Sequence, residues 1–135
     1  MKSFFLFCSF LLLSHLSFSQ ATVTFKNNTS FPLTVGVQYT CESPNVCPPA
    51  IAGSMNTTDP LAPGDEVTLT LPDPLPPPAC SGPNRPYRVG AGVFGGGFES
   101  WQINTCWNPA CITSDGPFTI TTTCSDFDTY VTVDP

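Results

Sequence analysis

The chain has 135 residues, with 10 acidic side chains against 4 basic ones and a net charge of −6. That balance disfavours phosphate backbones and anionic membrane surfaces as partners, since repulsion would oppose both. Only 10% of the residues are charged, while 16 prolines and 10 glycines break helices, so one small β-rich domain is the expected product.

The N-terminus reads MKSFFLFCSFLLLSHLSFSQ. Lys2 is a short positive region, Phe4 to Leu13 is almost wholly apolar, and Ser17 and Ser19 are small residues before a cleavage point. This is the three-part pattern of a secretory signal peptide over residues 1–19. The apolar run is too short for the roughly 20 residues that a membrane-spanning helix needs. The mature chain, residues 20–135, is therefore expected to be a single secreted domain without a membrane span. The cell surface and the periplasm are alternative destinations.

From there, apolar residues recur with period two and nowhere with period 3.6. Val23 and Phe25 mark a first strand, ended by Asn27-Asn28-Thr29-Ser30. Leu33, Val35, Val37, Tyr39 and Cys41 then fall on one face of a long strand whose other face is Thr, Gly and Gln. Glu42 to Gly64 holds Cys47 and Pro48-Pro49 and is expected to be loop. Val67, Leu69 and Leu71 alternate with Thr68 and Thr70. Pro72 to Pro86 is proline-rich, and proline lacks the donor that a central strand needs. Tyr87, Val89, Ala91 and Val93 form the next strand, Gly95-Gly96-Gly97 the turn, and Trp101 with Ile103 the strand after it. Trp101, in phase with Ile103, is expected in the core. Phe118, Ile120 and Thr122 lead to Cys124, and Tyr130 to Val133 close the chain.

About seven short strands with turns between them predict an all-β, antiparallel β-sandwich, immunoglobulin-like or similar, with a small barrel as the alternative. Cys41, Cys47, Cys80, Cys106, Cys111 and Cys124 follow the leader. Their even number in an exported chain predicts three disulfides stapling the domain, with the pairing left open.

No catalytic set emerges. The one histidine, His15, belongs to the leader, which excludes Ser-His-Asp and Cys-His arrangements from the mature chain. The glycines from Gly90 to Gly97 lack the Lys-Ser/Thr of a phosphate loop. Asp65 and Glu66 are adjacent and diverge on a strand, whereas Asp126 and Asp128 share a face. The latter pair are candidate calcium ligands, because calcium takes carboxylate oxygens. No other cofactor is expected, and the protein is not expected to be an enzyme.

Aromatic residues give the better lead. Trp107 lies in Cys106-Trp107-Asn108-Pro109-Ala110-Cys111. If those cysteines pair, its ring either lids the core or stands out as a rigid stacking surface for a sugar or a protein partner. Phe94 and Phe98 flank the triple glycine and would add apolar contact. The leading expectation is a small secreted binding module that meets an extracellular glycan or protein through Trp107, Phe94 and Phe98. The alternatives are a self-assembling component of a matrix, fibre or surface layer, and a secreted inhibitor or effector that presents the proline-rich loop. Asn27, Asn28 and Asn56 head glycosylation sequons. Leu61-Ala62-Pro63-Gly64 before an alternating strand resembles a turn phrase of secreted β-sandwiches, among them thaumatin-like and plant self-incompatibility-like proteins. The resemblance implies a turn before a strand, and the cysteine count departs from both families.

Overall fold

The structure is a computed structural model. It describes residues 20–42, 48–73, 80, 82–104, 114–125 and 127–135. In chain order the strands are β1 (Thr22–Asn27), β2 (Leu33–Thr40), β3 (Gly53–Asn56), β4 (Glu66–Thr70), β5 (Arg85–Val93), β6 (Ser100–Ile103), β7 (Ser114–Asp115), β8 (Thr119–Ser125) and β9 (Asp128–Asp134). They form a four-stranded sheet of order β4-β1-β9-β8 and a five-stranded sheet of order β3-β2-β5-β6-β7. Among the described residues no helix is long and apolar enough to cross a membrane.

The two sheets share one core. Val23 and Phe25 of β1 and Val131 and Val133 of β9 come from the first sheet; Leu33, Val35 and Val37 of β2 and Val89 and Ala91 of β5 come from the second. All nine have no accessible surface. Alternation produces this directly, because successive side chains on a strand point to opposite faces. β-Branched residues dominate, as a packed pleated surface favours.

The all-β class is as expected, and the strand arrangement differs from the expectation in four ways. First, β1 pairs in parallel with β9, from Thr22 opposite Asp128 to Asn27 opposite Val133, so the four-stranded sheet is not wholly antiparallel. The turn after β1 carries the chain across to the other sheet. The immunoglobulin constant arrangement keeps its first two strands in one sheet; here β1 and β2 lie in different sheets.

Second, β3 lies inside the segment expected to be loop. Its sequence, GSMN, has no apolar alternation, and it is a strand because it pairs with β2, Met55 opposite Val37. Third, β5 starts at Arg85 and includes Pro86. Gln38 faces Arg88 and Tyr39 faces Pro86, so the pairing shifts register there. An irregularity of this kind admits a residue that cannot donate to the ladder. The same shift breaks the single face expected from Leu33 to Cys41, leaving Tyr39 partly buried and Thr40 buried. Fourth, Trp101 is only half-buried, and its ring lies outside the core.

Cys41, just past β2, is joined to Cys80, just ahead of β5, across 39 positions of sequence. Cys124 is disulfide-bonded as well. Cys47, Cys106 and Cys111 lie outside the described residues.

Candidate functional site

The end of the molecule carrying the β1–β2 turn is built around one buried amide. Asn27 ends β1 on the inward face and has no accessible surface. Its Nδ2 donates to the carbonyls of Phe31, at 2.8 Å, and Leu61, at 2.9 Å. Its Oδ1 accepts from the Thr29 amide at 2.9 Å and the Thr29 hydroxyl at 2.8 Å. The Phe31 amide in turn donates to Thr29 Oγ1. Every hydrogen-bonding position of a buried amide is thereby used, as its desolvation demands.

Three further bonds fix the same turn. Leu33 and Leu61 exchange backbone hydrogen bonds of 3.0 and 2.8 Å, and the Gly64 amide donates to the Asn27 carbonyl at 2.8 Å. Gly64 has a φ of +83°, which glycine adopts without strain. The Leu-Ala-Pro-Gly phrase is thus a turn before β4, as its resemblance implied, and it braces the neighbouring turn.

On this braced backbone the Phe31 ring is 54% exposed. The β5–β6 hairpin lies alongside, with the Phe94 amide donating to the Pro32 carbonyl at 2.8 Å. Phe94 is itself 44% exposed. Phe31, Pro32 and Phe94 therefore put apolar surface at one end of the molecule, on two turns joined by a hydrogen bond. No charged residue occurs between Asn27 and Thr40 or between Val89 and Phe98.

Phe98 has a different environment. Its ring packs on Trp101 with centroids 4.8 Å apart and planes tilted by 39°. Both lie on the outer face of the five-stranded sheet, over two glycines that face each other, Gly36 of β2 and Gly90 of β5. A methyl group on Gly90 would come within 2.7 Å of Trp101 Cε3, and one on Gly36 within 2.8 Å of Phe98 Cζ. The missing side chains are what let the rings lie flat. The Arg88 guanidinium closes the stack at 4.8 Å from the Trp101 centroid, a cation–π contact. Trp101 thus leaves the core because the glycines of the wet face make room for it there.

Of the residues expected to bind, Phe94 is presented to solvent and Phe98 is engaged with Trp101. Trp107 lies outside the described residues. Phe31 was missed, since nothing in its sequence neighbourhood distinguishes an exposed ring from a buried one; its signal is an aromatic placed between an Asn-Thr-Ser turn and a proline. Of the sequon asparagines, Asn27 is sealed in the core, while Asn28 and Asn56 are exposed.

The acidic candidates take other places. Asp128 lies on the four-stranded sheet and accepts a hydrogen bond from Thr22 Oγ1 at 2.6 Å. Asp126 lies outside the described residues, among which no three His, Cys, Asp or Glu side chains gather as a metal site. An open cleft of about 350 Å³ runs beside the braced turn, lined by Leu61, Val67 and Leu69 below and by Asp59, Asp65 and Glu66 at the rim. Glu66 is engaged there. Tyr130 donates to its carboxylate at 2.6 Å and Lys26 pairs with it at 3.4 Å. The tyrosine hydrogen bond, followed by the lysine, holds its pKa below the ordinary carboxylate value, and the same bond raises that of Tyr130. No protein family, curated protein or solved structure matches this chain.

Proposed function

We propose that this chain is a secreted, non-catalytic β-sandwich module that binds a neutral glycan at the Phe31, Pro32 and Phe94 end. The observation that carries the reading is the pair of exposed aromatic rings, Phe31 on a turn held by a fully buried asparagine and Phe94 on the hairpin hydrogen-bonded to that turn. A ring held rigidly by its backbone loses little conformational entropy on binding, and this favours stacking against the apolar face of a sugar. The absence of charge from both turns suits an uncharged polymer. The expected export signal puts the module where such polymers occur, and neither turn carries the carboxylates that glycoside hydrolysis uses.

Retention of the oxidised mature protein on a panel of insoluble polysaccharides tests this, with and without calcium. Loss of retention in both Phe31→Ala and Phe94→Ala is the expected result. Loss in Trp107→Ala alone would move the site to the Cys106–Cys111 segment. Dependence on calcium would bring Asp126 and Asp128 into the contact. No retention on any polysaccharide would overturn the glycan reading in favour of a protein partner.

A further inference from the structure

Three asparagines head glycosylation sequons, and the fold gives each a different position. Asn27 is fully buried, and its amide uses both donors and both acceptor positions. A sugar on its Nδ2 would displace those bonds and push the turn out of the core. Asn28 is exposed, but its Nδ2 donates to Asp134 Oδ1 at 2.9 Å and ties the turn to the end of β9. Asn56 is exposed, and among the described residues its Nδ2 donates to no acceptor.

The surroundings of Asn56 are also distinct. It ends β3, opposite Gly36 of β2, and therefore lies on the outer face of the five-stranded sheet. Thr57 fixes the direction in which the chain leaves: its amide donates to the Val35 carbonyl at 2.9 Å, and its hydroxyl accepts from the Val35 amide at 3.2 Å. Thr58, whose hydroxyl completes the sequon, is exposed beyond it. A methyl group on Gly36 would lie 2.6 Å from Asn56 Oδ1 and 2.8 Å from Phe98 Cζ, so the amide and the ring are neighbours above the glycine. The Phe98 and Trp101 rings are half-buried there, on a face that a sheet ordinarily keeps polar.

We propose that Asn56, rather than Asn27 or Asn28, is the N-glycosylation site of this chain, and that the first sugar of its glycan lies against the Phe98 ring. The site rests on the export that the N-terminal leader predicts, and it does not depend on binding at the Phe31 and Phe94 end. The donor is an oligosaccharide carried on a lipid diphosphate. The bond from its anomeric carbon to the diphosphate breaks, and a bond from that carbon to Asn56 Nδ2 forms. The amide loses one proton as the lipid diphosphate leaves. Asn56 can give up that N–H without losing a hydrogen bond of the fold among the described residues. The apolar face of the sugar suits the aromatic ring, and its hydroxyls make the outer face polar again.

Intact mass of the full chain secreted through a eukaryotic export pathway tests the site, with Asn28→Gln and Asn56→Gln alongside. The expected result is one oligosaccharide increment in the parent and in Asn28→Gln, removed by peptide N-glycosidase, and none in Asn56→Gln. A secreted chain without the increment, or an increment that survives Asn56→Gln, would overturn the site. A chain that stays in the cell unmodified would overturn the export on which the site rests. Melting temperatures test the position of the sugar. The glycosylated parent should melt about 4 °C above Asn56→Gln, the shift that one stacking contact produces in a domain of this size, and the gap should close in Phe98→Ala. No gap in the parent, or an equal gap with and without the Phe98 ring, would overturn the stacking.

Discussion

The two outer faces of this molecule share a backbone geometry and differ in what stands on it. On the four-stranded sheet, Thr70, Thr22, Asp128 and Ser125 form one row across the strands, and Thr68, Thr24, Tyr130 and Thr123 the next. Glu66, Lys26, Thr132 and Thr121 form a third. Seven of these twelve positions carry threonine, and the face is rich in hydroxyls, as in the 2.8 Å bond between Thr24 and Thr68. On the five-stranded sheet the corresponding row runs Asn56, Gly36, Gly90, Trp101. Two empty positions in its middle receive the Trp101 and Phe98 rings. A wet face filled by threonine stays hydrophilic and level, whereas glycine on such a face lets aromatic rings settle where a sheet is usually solvated.

The comparison can be broken most severely at its covalent staple. Replacing Cys41 and Cys80 together by alanine should cost about 4 kcal/mol for a closed loop of this length. Denaturant unfolding reads the loss. Hydrogen exchange should show β2 and β5 losing more protection than β1 and β9, because the bridge ties only the five-stranded sheet. Equal loss in both sheets would mean that they unfold as a single unit.

Next in size is Asn27→Ala. It removes one of the two donors to each of the Phe31 and Leu61 carbonyls and the acceptor of the Thr29 amide, and should cost roughly 3 kcal/mol, read from thermal or denaturant unfolding. The Phe31 turn should also become a site of proteolysis in the variant while remaining resistant in the parent.

The contrast between the faces is tested directly by Gly90→Val against Thr24→Val. The first places a branched side chain under Trp101 and should cost about 1–3 kcal/mol, with a change in tryptophan fluorescence. The second sits on the exposed array and should stay within about 0.5 kcal/mol of the parent. Equal effects would show that the glycines are incidental to the ring stack.

The smallest expected effect belongs to Glu66. Its pKa is depressed by Tyr130 and then by Lys26, so its contribution is present above the unfolded carboxylate pKa and lost as pH falls through the lowered folded value. Tyr130 is shifted upward, so its contribution is lost only as alkaline pH passes through its raised value. Tyr130→Phe should return the Glu66 side-chain titration, followed by carbon NMR, toward the ordinary carboxylate range.

Much of the architecture can be read from the chain itself. The alternation of Leu33, Val35 and Val37, of Val89 and Ala91, and of Val131 and Val133 identifies strands and their buried faces without reference to any partner. The turn at Leu61 to Gly64 is legible from its proline and glycine. Phe94 is legible as an exposed ring because it adjoins a glycine run that can only turn. These features are local, since they depend on side-chain direction and backbone freedom within a few residues.

The remaining features required the tertiary structure. The parallel pairing of β1 with β9 joins segments about as far apart as the chain allows, and no local pattern encodes it. β3 exists because β2 offers it a ladder. Trp101 has the alternation of a core residue, and only the glycines across the sheet from it explain why its ring lies outside. Asn27 looks like any turn asparagine until the Phe31 and Leu61 carbonyls converge on it. The sequence by itself determined which residues could be inside, because burial follows from polarity and period. Which of them meet, and which rings stay exposed, was decided by long-range register, where each contact depends on strands placed by all the others.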